Sequence, residues 1–444
     1  MSNKQVEVTR GAGKDLALEG LRGIAALGVV LSHCFLTFFP YLQTGELGDR
    51  HGAWEAWLLN TPLWAFYNGT FDVTVFFVMS GYVLTRKFFS RHDYRSLQGG
   101  AAKRYIRLGV PVAASVMVGF VMMKLPLFPA KSTNLHEFIR NAYVFQPSPA
   151  TALKDAVYGS LLFGHAQYNY ILWTIGVEFL GSLLLFAFLA LFGHSRLRGW
   201  IALLISVAWI IVDPANGVLF ALFFVAAFMH VWKMPRSTWA VAGCILIGLW
   251  LYLGSYHWYA HSFTWIVRGA NALIRMGVVI ECEWPIFIPA IGSVFLVAAA
   301  LGRNHLTDVL SSRAAVWLGD KSFSLYLTHT FVLSSLGVYS YIWTTAVPYQ
   351  TRAWISIAVT IVVSLIVSAV FARPSMRPQS SGLRGSPCSF GMHRPSHRLP
   401  RLIARLIETN LRNQAQLQHL PPAAEAASFA NARHRAERRW ICRK

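Results

Sequence analysis

Long apolar segments recur along most of this chain, and they constrain its fold more than any other feature. A membrane-spanning helix needs about 20 mostly apolar residues. Ten segments approach this length, at residues 16–39, 66–85, 108–128, 169–192, 199–213, 216–232, 238–254, 285–301, 316–341 and 353–372. Hydrophobic residues make up 55% of the chain and charged residues 13%, against about 45–50% and about 25% in soluble domains. The sequence therefore predicts an all-α, polytopic membrane protein with about ten transmembrane helices.

The ends of the chain differ from its apolar body. The first apolar segment contains Glu19, Arg22 and His33 and is not followed by a small-residue cleavage site, which is typical of a retained helix and not of a cleaved signal peptide. Residues 373–444 are rich in Pro, Ser and Arg, and such a composition cannot bury enough apolar surface to fold alone. We expect an N-terminal segment at 1–15, a membrane domain at 16–372 and a basic, disordered tail at 373–444.

Basic residues predict the orientation of the spans. The formal net charge is +21, and residues 374–444 hold 13 Lys and Arg against 3 Asp and Glu. The other basic residues lie between alternate apolar segments, most densely at 86–107 and then at Arg196, Arg198, Lys233, Arg236, Arg303 and Arg313. Loops rich in Lys and Arg stay in the cytoplasm. The pattern favours cytoplasmic termini, membrane lipid as a partner and no nucleic acid.

The cysteines and the aromatic residues of the predicted external loops are less specific. The five cysteines show neither close pairing nor metal-ligand spacing, so we expect no disulfide framework and no metal site; they are Cys34, Cys244, Cys282, Cys388 and Cys442. The external aromatic residues are either interfacial anchors or surfaces on which a sugar stacks; they include Trp54, Trp57, Trp64, Trp258, Tyr259 and Trp265.

Ionisable residues inside the apolar segments are candidates for function. A charged side chain at the centre of a span costs about 2.5–3.5 kcal/mol on insertion scales. The candidates are Glu19, Arg22, His33, Asp72, Glu178, Lys321 and His329. The same residue types mark proton and ion pathways in transporters, and they also act as hydrogen-bonded packing residues between helices.

Arg22 and His33 lie on one face of the first helix. They are 11 residues apart, which corresponds to about three turns and roughly 16 Å along the axis. With the N-terminus inside, Arg22 lies near the cytoplasmic mouth and His33 lies further out. Arg104 and Arg107 share a face of the third helix; they are either topology signals or ligands for phosphate, which guanidinium groups bind in a bidentate manner.

Five segments resemble the signatures of acyltransferase family 3 in their order along the chain. They are Leu18–Ala26 followed by His33, Phe71–Tyr82, Arg104–Arg107, Trp173–Phe179 and Leu318–His329. The resemblance covers roughly residues 15–372. It implies a ten-helix enzyme of the bacterial inner (plasma) membrane that moves an acyl group, usually acetyl from acetyl-CoA or another acyl-CoA, to a hydroxyl of an extracytoplasmic glycan or lipid-linked saccharide. No permanently bound cofactor is implied.

The resemblance makes the Arg-x10-His pair, here Arg22 and His33, the functional core. A histidine near pKa 6.5 suits the activation of a hydroxyl at neutral pH, so we assign His33 as the general base. Asp72 or Glu178 would orient its ring, and His329 is either a further site residue or a packing residue. Arg22, Arg104 and Arg107 would hold the phosphates of CoA, and Ser324 and Tyr326 would contact substrate.

Two other classes of protein fit parts of the sequence. A transporter would explain the buried charges, but inverted repeats and paired broken helices are not evident. A polysaccharide export factor without acyl-transfer chemistry would use the polar residues only to hold helices together. The end of the chain departs from the family pattern at Ala372-Arg373-Pro374; we expect either a frameshifted reading of a GC-rich gene or a native basic tail that contacts anionic lipid.

Overall fold

A computed structural model describes residues 15–91, 94–231, 238–257, 259–276, 283–302 and 304–375. Ten principal helices organise this part of the chain, and we number them in chain order. They are α1 Leu16–Phe38, α2 Gly69–Arg91, α3 Tyr94–Lys124, α4 Leu172–Phe192, α5 Arg198–Val212, α6 Gly217–Phe228, α7 Thr238–Gly254, α8 Trp284–Leu301, α9 Arg313–Val332 and α10 Tyr349–Ser375.

Shorter helical segments connect the principal helices. The α-helical ones are Tyr41–Thr44, Ala53–Leu59, Glu137–Arg140, Pro149–Lys154, Ser160–Phe163, Thr264–Arg275, His305–Leu310 and Val338–Trp343. The 3-10 segments are Leu47–Asp49, Pro62–Phe66, Pro129–Ser132, Met229–Val231 and His261–Phe263. Two π-helical turns occur at Asp155–Gly159 and Leu333–Gly337. No strand occurs in the described residues, as the all-α prediction expected.

Each of the ten predicted apolar segments lies largely within a principal helix. Five of these helices are long and apolar enough to cross a membrane, namely α1, α3, α4, α8 and residues Tyr349–Phe371 of α10. Helices α5 and α6 are apolar but shorter, and α2 and α9 carry charged residues. The chain is thus a helical membrane protein, while a count of ten crossings remains a prediction.

The basic segment 86–107 is more ordered than the sequence suggested. We predicted a loop there, but α2 continues to Arg91 and α3 already begins at Tyr94. Hydropathy marks where a helix enters lipid, whereas a helix can continue in water wherever its residues favour it. The basic residues therefore lie on helical extensions, and α3 begins 14 residues before the predicted span at 108.

Other predicted features lie outside the described residues. These are residues 1–14, Lys233, Arg236, Trp258, Cys282, Arg303 and the chain beyond Ser375. The last helix runs through Ser375, slightly past the predicted boundary of the membrane domain at 372.

Helix α1 lies at the centre of the described bundle. Of the most apolar 18-residue stretch of each helix, 67% is buried in α1, against 33% in α3 and 28% in α10. The outer helices therefore leave more apolar surface for lipid. Helix α1 packs most extensively against α9, so the first and ninth predicted spans are direct neighbours.

Glycines allow α1 and α9 to approach backbone to backbone. A Cβ atom on Gly319 of α9 would lie 2.0 Å from the carbonyl oxygen of Glu19, and one on Gly23 would lie 2.4 Å from the Gly319 nitrogen. Small residues permit such close packing between membrane helices. Gly23 and Gly319 are 296 residues apart, and so are His33 and His329, which also meet. Two contacts with the same offset mean that α1 and α9 are parallel, which agrees with spans one and nine in an alternating topology.

The aromatic residues of segment 39–68 occupy different environments. Trp64 is 7% exposed, and its indole N–H donates to the Leu42 carbonyl oxygen at 2.8 Å. Trp57 is 66% exposed. Trp64 is therefore part of the packed interior of this segment, and of the two only Trp57 has the exposure required of an interfacial anchor or a stacking surface.

Candidate active site

The two candidate histidines form a hydrogen-bonded pair between α1 and α9. Nδ1 of His33 lies 3.0 Å from Nε2 of His329, and the two rings are nearly parallel, with an interplanar angle of 19°. His329 is fully buried, whereas His33 is half-buried. The parallel register set by the glycine contact therefore brings together two histidines that are 296 residues apart.

The hydrogen bonds assign the protons of this pair. Nδ1 of His329 lies 3.1 Å from the Leu325 carbonyl oxygen, and because a carbonyl only accepts, this nitrogen carries a proton. In neutral His329, Nε2 is then an acceptor, and His33 donates to it through its own Nδ1–H. Nε2 of a neutral His33 is left with its lone pair, which is the form required of a proton acceptor.

Two further aromatic rings contact His33. Phe138, from the short helix Glu137–Arg140, stacks on the imidazole with ring centroids 5.7 Å apart and an interplanar angle of 7°. Tyr170 meets the imidazole edge to face at 5.4 Å. Both residues belong to the predicted external region or its junction with α4, so His33 contacts the part of the protein that was expected to face outward.

A second polar group lies toward the other end of α1, between α3 and α4. Nη2 of Arg104 lies 2.6 Å from Oε1 of Glu178, and its Nε donates to the Ser182 hydroxyl at 3.0 Å. The Ser80 hydroxyl donates to the same Glu178 oxygen at 3.2 Å. Arg104 is only 6% exposed. A buried, paired arginine contributes to the interior of the protein and is more than a topology signal.

Three arginines meet two glutamates around this group. Arg22 pairs with Glu19 on the same helix at 3.3 Å. Arg107 interacts electrostatically with Arg104 and Arg22, which oppose its charge, and with Glu178 and Glu19, which favour it. These five side chains carry one net positive charge when all are ionised. The predicted donor-binding arginines are thus neighbours, and two of them, Arg22 and Arg104, pair with glutamates.

A cavity of about 80 Å³ lies against these charges, between α1, α2, α4 and α9. Arg22, Ser80, Glu178 and Ser322 supply polar groups to its wall. The apolar part of its wall includes Val73, Phe76, Phe77, Ile175 and Phe323, and Thr174 and Tyr326 complete the lining. The Tyr326 and Thr174 hydroxyls are hydrogen-bonded at 2.7 Å. The cavity thus has a largely apolar wall with a few polar groups.

The carboxylates expected to orient His33 lie elsewhere. Within the described residues, the His33 ring bonds to His329, while Glu178 bonds to Arg104 and Ser80. Asp72 is 6% exposed and lies against Gly28, where a Cβ atom would be 2.2 Å from Oδ2. That oxygen makes no hydrogen bond within the described chain. The catalytic assignments of Glu178 and Asp72 remain predictions.

The two predicted substrate-binding residues of α9 have different surroundings. Tyr326 lines the cavity. Ser324 is fully buried, and its hydroxyl makes no hydrogen bond within the described residues. Ser324 therefore belongs to the packed interior of α9, one turn before Thr328, whose hydroxyl donates to its carbonyl oxygen.

Sequence reasoning missed several groups that complete the site. Ser80 and Thr174 lie inside two of the family-like segments, so position within these segments was an available signal for both. Ser182 and Phe138 lie outside them, and no sequence pattern points to either. The π-helical turn Leu333–Gly337 begins four residues after His329, and π-bulges frequently mark functional sites.

Comparison with known proteins identifies the family. The acyltransferase domain of acyltransferase family 3 matches residues 15–373. The chain belongs to this family. An O-acetyltransferase from Phomopsis amygdali, PaAT-1, is 25% identical over 386 residues, which cover 72% of each chain. No solved structure matches. This family member is an acyltransferase enzyme, and the matched residues 15–373 contain nine of the principal helices and all but the last two residues of α10.

Proposed function

We propose that this acyltransferase moves an acetyl group from acetyl-CoA, on the cytoplasmic side, to a hydroxyl of a glycan beyond a bacterial inner membrane. The hydrogen-bond chain from the Leu325 carbonyl through His329 to His33 carries the proposal. It presents an unprotonated Nε2 on a half-buried imidazole. The name of the Phomopsis amygdali relative, an O-acetyltransferase, supports a hydroxyl as the acceptor.

In the proposed reaction His33 is the general base. Its Nε2 takes the proton of the acceptor hydroxyl as the oxygen attacks the thioester carbonyl carbon. A C–O bond forms and the C–S bond breaks, and the CoA thiolate takes the proton from His33. The imidazolium formed in this step stays hydrogen-bonded to Nε2 of His329. His329 is thus a positioning residue that fixes the tautomer of the base.

The donor would bind through the arginines at the other end of the site. Arg107 interacts electrostatically with both Arg22 and Arg104, and guanidinium groups recognise phosphate oxygens through paired hydrogen bonds. The excess of basic residues at 86–107 supports a cytoplasmic position for this end under the positive-inside rule. A cytoplasmic thioester and an external acceptor then meet along α1.

Variants of His329 test the proposed pair. In membranes supplied with [¹⁴C]acetyl-CoA and glycan extracted from cells that lack the gene, the wild-type protein should label the glycan. His329→Leu should lower kcat by on the order of 10²-fold, because the base loses its acceptor, while KM for acetyl-CoA stays nearly constant. His329→Gln should recover part of the rate, since its amide oxygen can accept from Nδ1 of His33.

Four outcomes would contradict the proposal in different ways. Equal rates for His329→Leu and wild type would contradict the role of the histidine pair but not the proposed reaction. If mass spectrometry finds the same glycan acetylation in cells with and without the gene, the proposed reaction is wrong. Lower export of a normally acetylated glycan would favour an export factor, and gene-dependent solute uptake would favour a transporter. Each variant must first be shown to insert at wild-type level.

A further inference from the structure

A fully buried asparagine, Asn169, lies in the turn that precedes α4. Its Nδ2 donates to the Leu327 carbonyl oxygen at 2.9 Å and to the Ser115 hydroxyl at 2.8 Å. Its Oδ1 accepts from the Thr330 hydroxyl at 3.0 Å and from the Ile171 N–H at 3.4 Å. An asparagine amide has two donor hydrogens and two acceptor lone pairs. All four are in use here, so the orientation of the amide is fixed.

Two of these hydrogen bonds go to residues on either side of His329. Leu327 lies two residues before His329 and Thr330 lies one residue after it. Both are fully buried, and they bond to opposite ends of the same amide. Since Ser115 belongs to α3, Asn169 connects the stretch of α9 that carries His329 to α3 and to the start of α4.

The turn that contains Asn169 also reaches the other histidine. Asn169 is followed by Tyr170, whose ring meets the His33 imidazole edge to face at 5.4 Å. The Leu172 N–H donates to the Asn169 carbonyl oxygen at 3.1 Å, which closes the turn around Tyr170. Asn169 is therefore linked to His329 through its hydrogen bonds and to His33 through its neighbour in the sequence.

The histidine pair is sensitive to small displacements. Nδ1 of His33 and Nε2 of His329 are 3.0 Å apart, and hydrogen bonds from nitrogen usually measure about 2.7–3.2 Å. A shift of α9 by about 1 Å would therefore break the bond that fixes the tautomer of the proposed base. A buried amide that holds α9 on both sides of His329 opposes such a shift.

We propose that Asn169 is a positioning residue that keeps His329 within hydrogen-bonding distance of His33. The inference rests on the proposed role of the histidine pair and adds a residue that sets its geometry. None of the four hydrogen bonds of the Asn169 amide goes to the arginines that would hold CoA. Loss of the amide should therefore lower kcat and leave KM for acetyl-CoA nearly unchanged.

The test is a double-mutant cycle on the full-length protein in membranes supplied with labelled acetyl-CoA and glycan. Asn169→Leu removes the amide at similar volume and should lower kcat by about 10–100-fold, because a misplacement of 1 Å can cost about 10²-fold. Combined with His329→Leu, it should change kcat by no more than about twofold relative to His329→Leu alone, since the pair can be lost only once.

Thr330→Val offers a milder version of the same change. It keeps the shape of the side chain but removes the hydroxyl that donates to Asn169. Its kcat should fall in the same direction by a smaller factor, because three of the four bonds of the amide remain. This variant carries the test if Asn169→Leu fails to insert.

Asn68 provides a matched control at another helix junction. It is 2% exposed and directly precedes α2. Its Nδ2 donates to the Gly254 carbonyl oxygen at 2.9 Å, and its Oδ1 accepts from the Phe71 N–H at 3.2 Å. Asn68→Leu should lower the midpoint of thermal unfolding in detergent, as Asn169→Leu should, but kcat of the inserted protein should stay near the wild-type value.

The possible failures are distinguishable. Near wild-type kcat in an inserted Asn169→Leu protein, with the wild-type protein active, would overturn the positioning role alone. Equal losses of kcat in Asn169→Leu and Asn68→Leu would also overturn it, and so would losses that multiply in the double variant. A His329→Leu protein with the wild-type rate would overturn the histidine pair together with this role. A wild-type protein that does not acetylate the glycan would overturn the proposed function itself.

Discussion

Arg22 and His33 share one helix but have different neighbours. Arg22 pairs with Glu19 and lines the cavity, whereas His33 bonds to His329 and contacts Phe138 and Tyr170. Their spacing was readable from the sequence. The partner of His33 was not, because a contact across 296 residues depends on how two helices pack, and the sequence offered two carboxylates that were equally plausible.

Alanine substitutions of Arg22 and His33 should impair different steps, donor binding and acyl transfer respectively. His33→Ala should lower kcat by about 10²–10⁴-fold, the usual contribution of a general base, and leave the affinity for acetyl-CoA nearly unchanged. Arg22→Ala should weaken CoA binding by about 1.5–3 kcal/mol, the cost of losing a hydrogen bond to a charged group. Calorimetric titration with CoA and initial rates measure the two effects. A His33→Ala protein with near wild-type rate would leave His33 as a packing residue.

At the scale of the helix, close packing of α1 and α9 holds the site together. A Cβ atom at Gly319 would collide with the backbone of Glu19 at 2.0 Å, and backbone cannot move aside as a flexible side chain can. Gly319→Ala should therefore force the helices apart, destabilise the protein by about 1–3 kcal/mol, and reduce glycan acetylation as His33 and His329 separate. The midpoint of thermal unfolding in detergent and the transfer rate report these effects.

Gly248 provides a matched control in another helix. It lies within α7, and no atom lies within 4 Å of where its Cβ would be. Gly248→Ala should be neutral or should stabilise the helix by about 0.5–1 kcal/mol. If Gly319→Ala unfolded at the same temperature as Gly248→Ala, the backbone contact between α1 and α9 would not matter for stability.

The sequence predicted the elements better than their ends. Hydropathy located helical segments in all ten positions. A membrane helix is apolar on most of its surface because it is buried in lipid, so a long apolar run is enough to detect it without any helical periodicity. It missed the helical residues up to Arg91 and from Tyr94, since helix formation in water follows other preferences. It also missed the π-helical turn Leu333–Gly337, because a change of backbone hydrogen bonding leaves hydropathy unaltered.

For the whole molecule, thiol labelling can test the orientation. In a variant without native cysteines, Gly48→Cys and Gly99→Cys each place a thiol where no atom lies within 4 Å of the new Cβ. The basic segment 86–107 predicts Gly99 in the cytoplasm, and Gly48 follows the first span on the opposite side. A membrane-impermeant maleimide should label only Gly48→Cys in intact cells and both variants after permeabilisation. Labelling of Gly99→Cys in intact cells would reverse the orientation and the donor side.

The parallel pairing of α1 with α9 also has a consequence for biosynthesis. His33 enters the membrane with the first helix, but His329 is synthesised 296 residues later. At about 5–20 residues per second, the ribosome needs roughly 15 to 60 seconds to deliver it. During that interval α1 lacks the helix that packs against Gly23 in the folded protein. The proposed base therefore acquires its fixed tautomer only near the end of translation, and a nascent chain that stops before α9 has no assembled site.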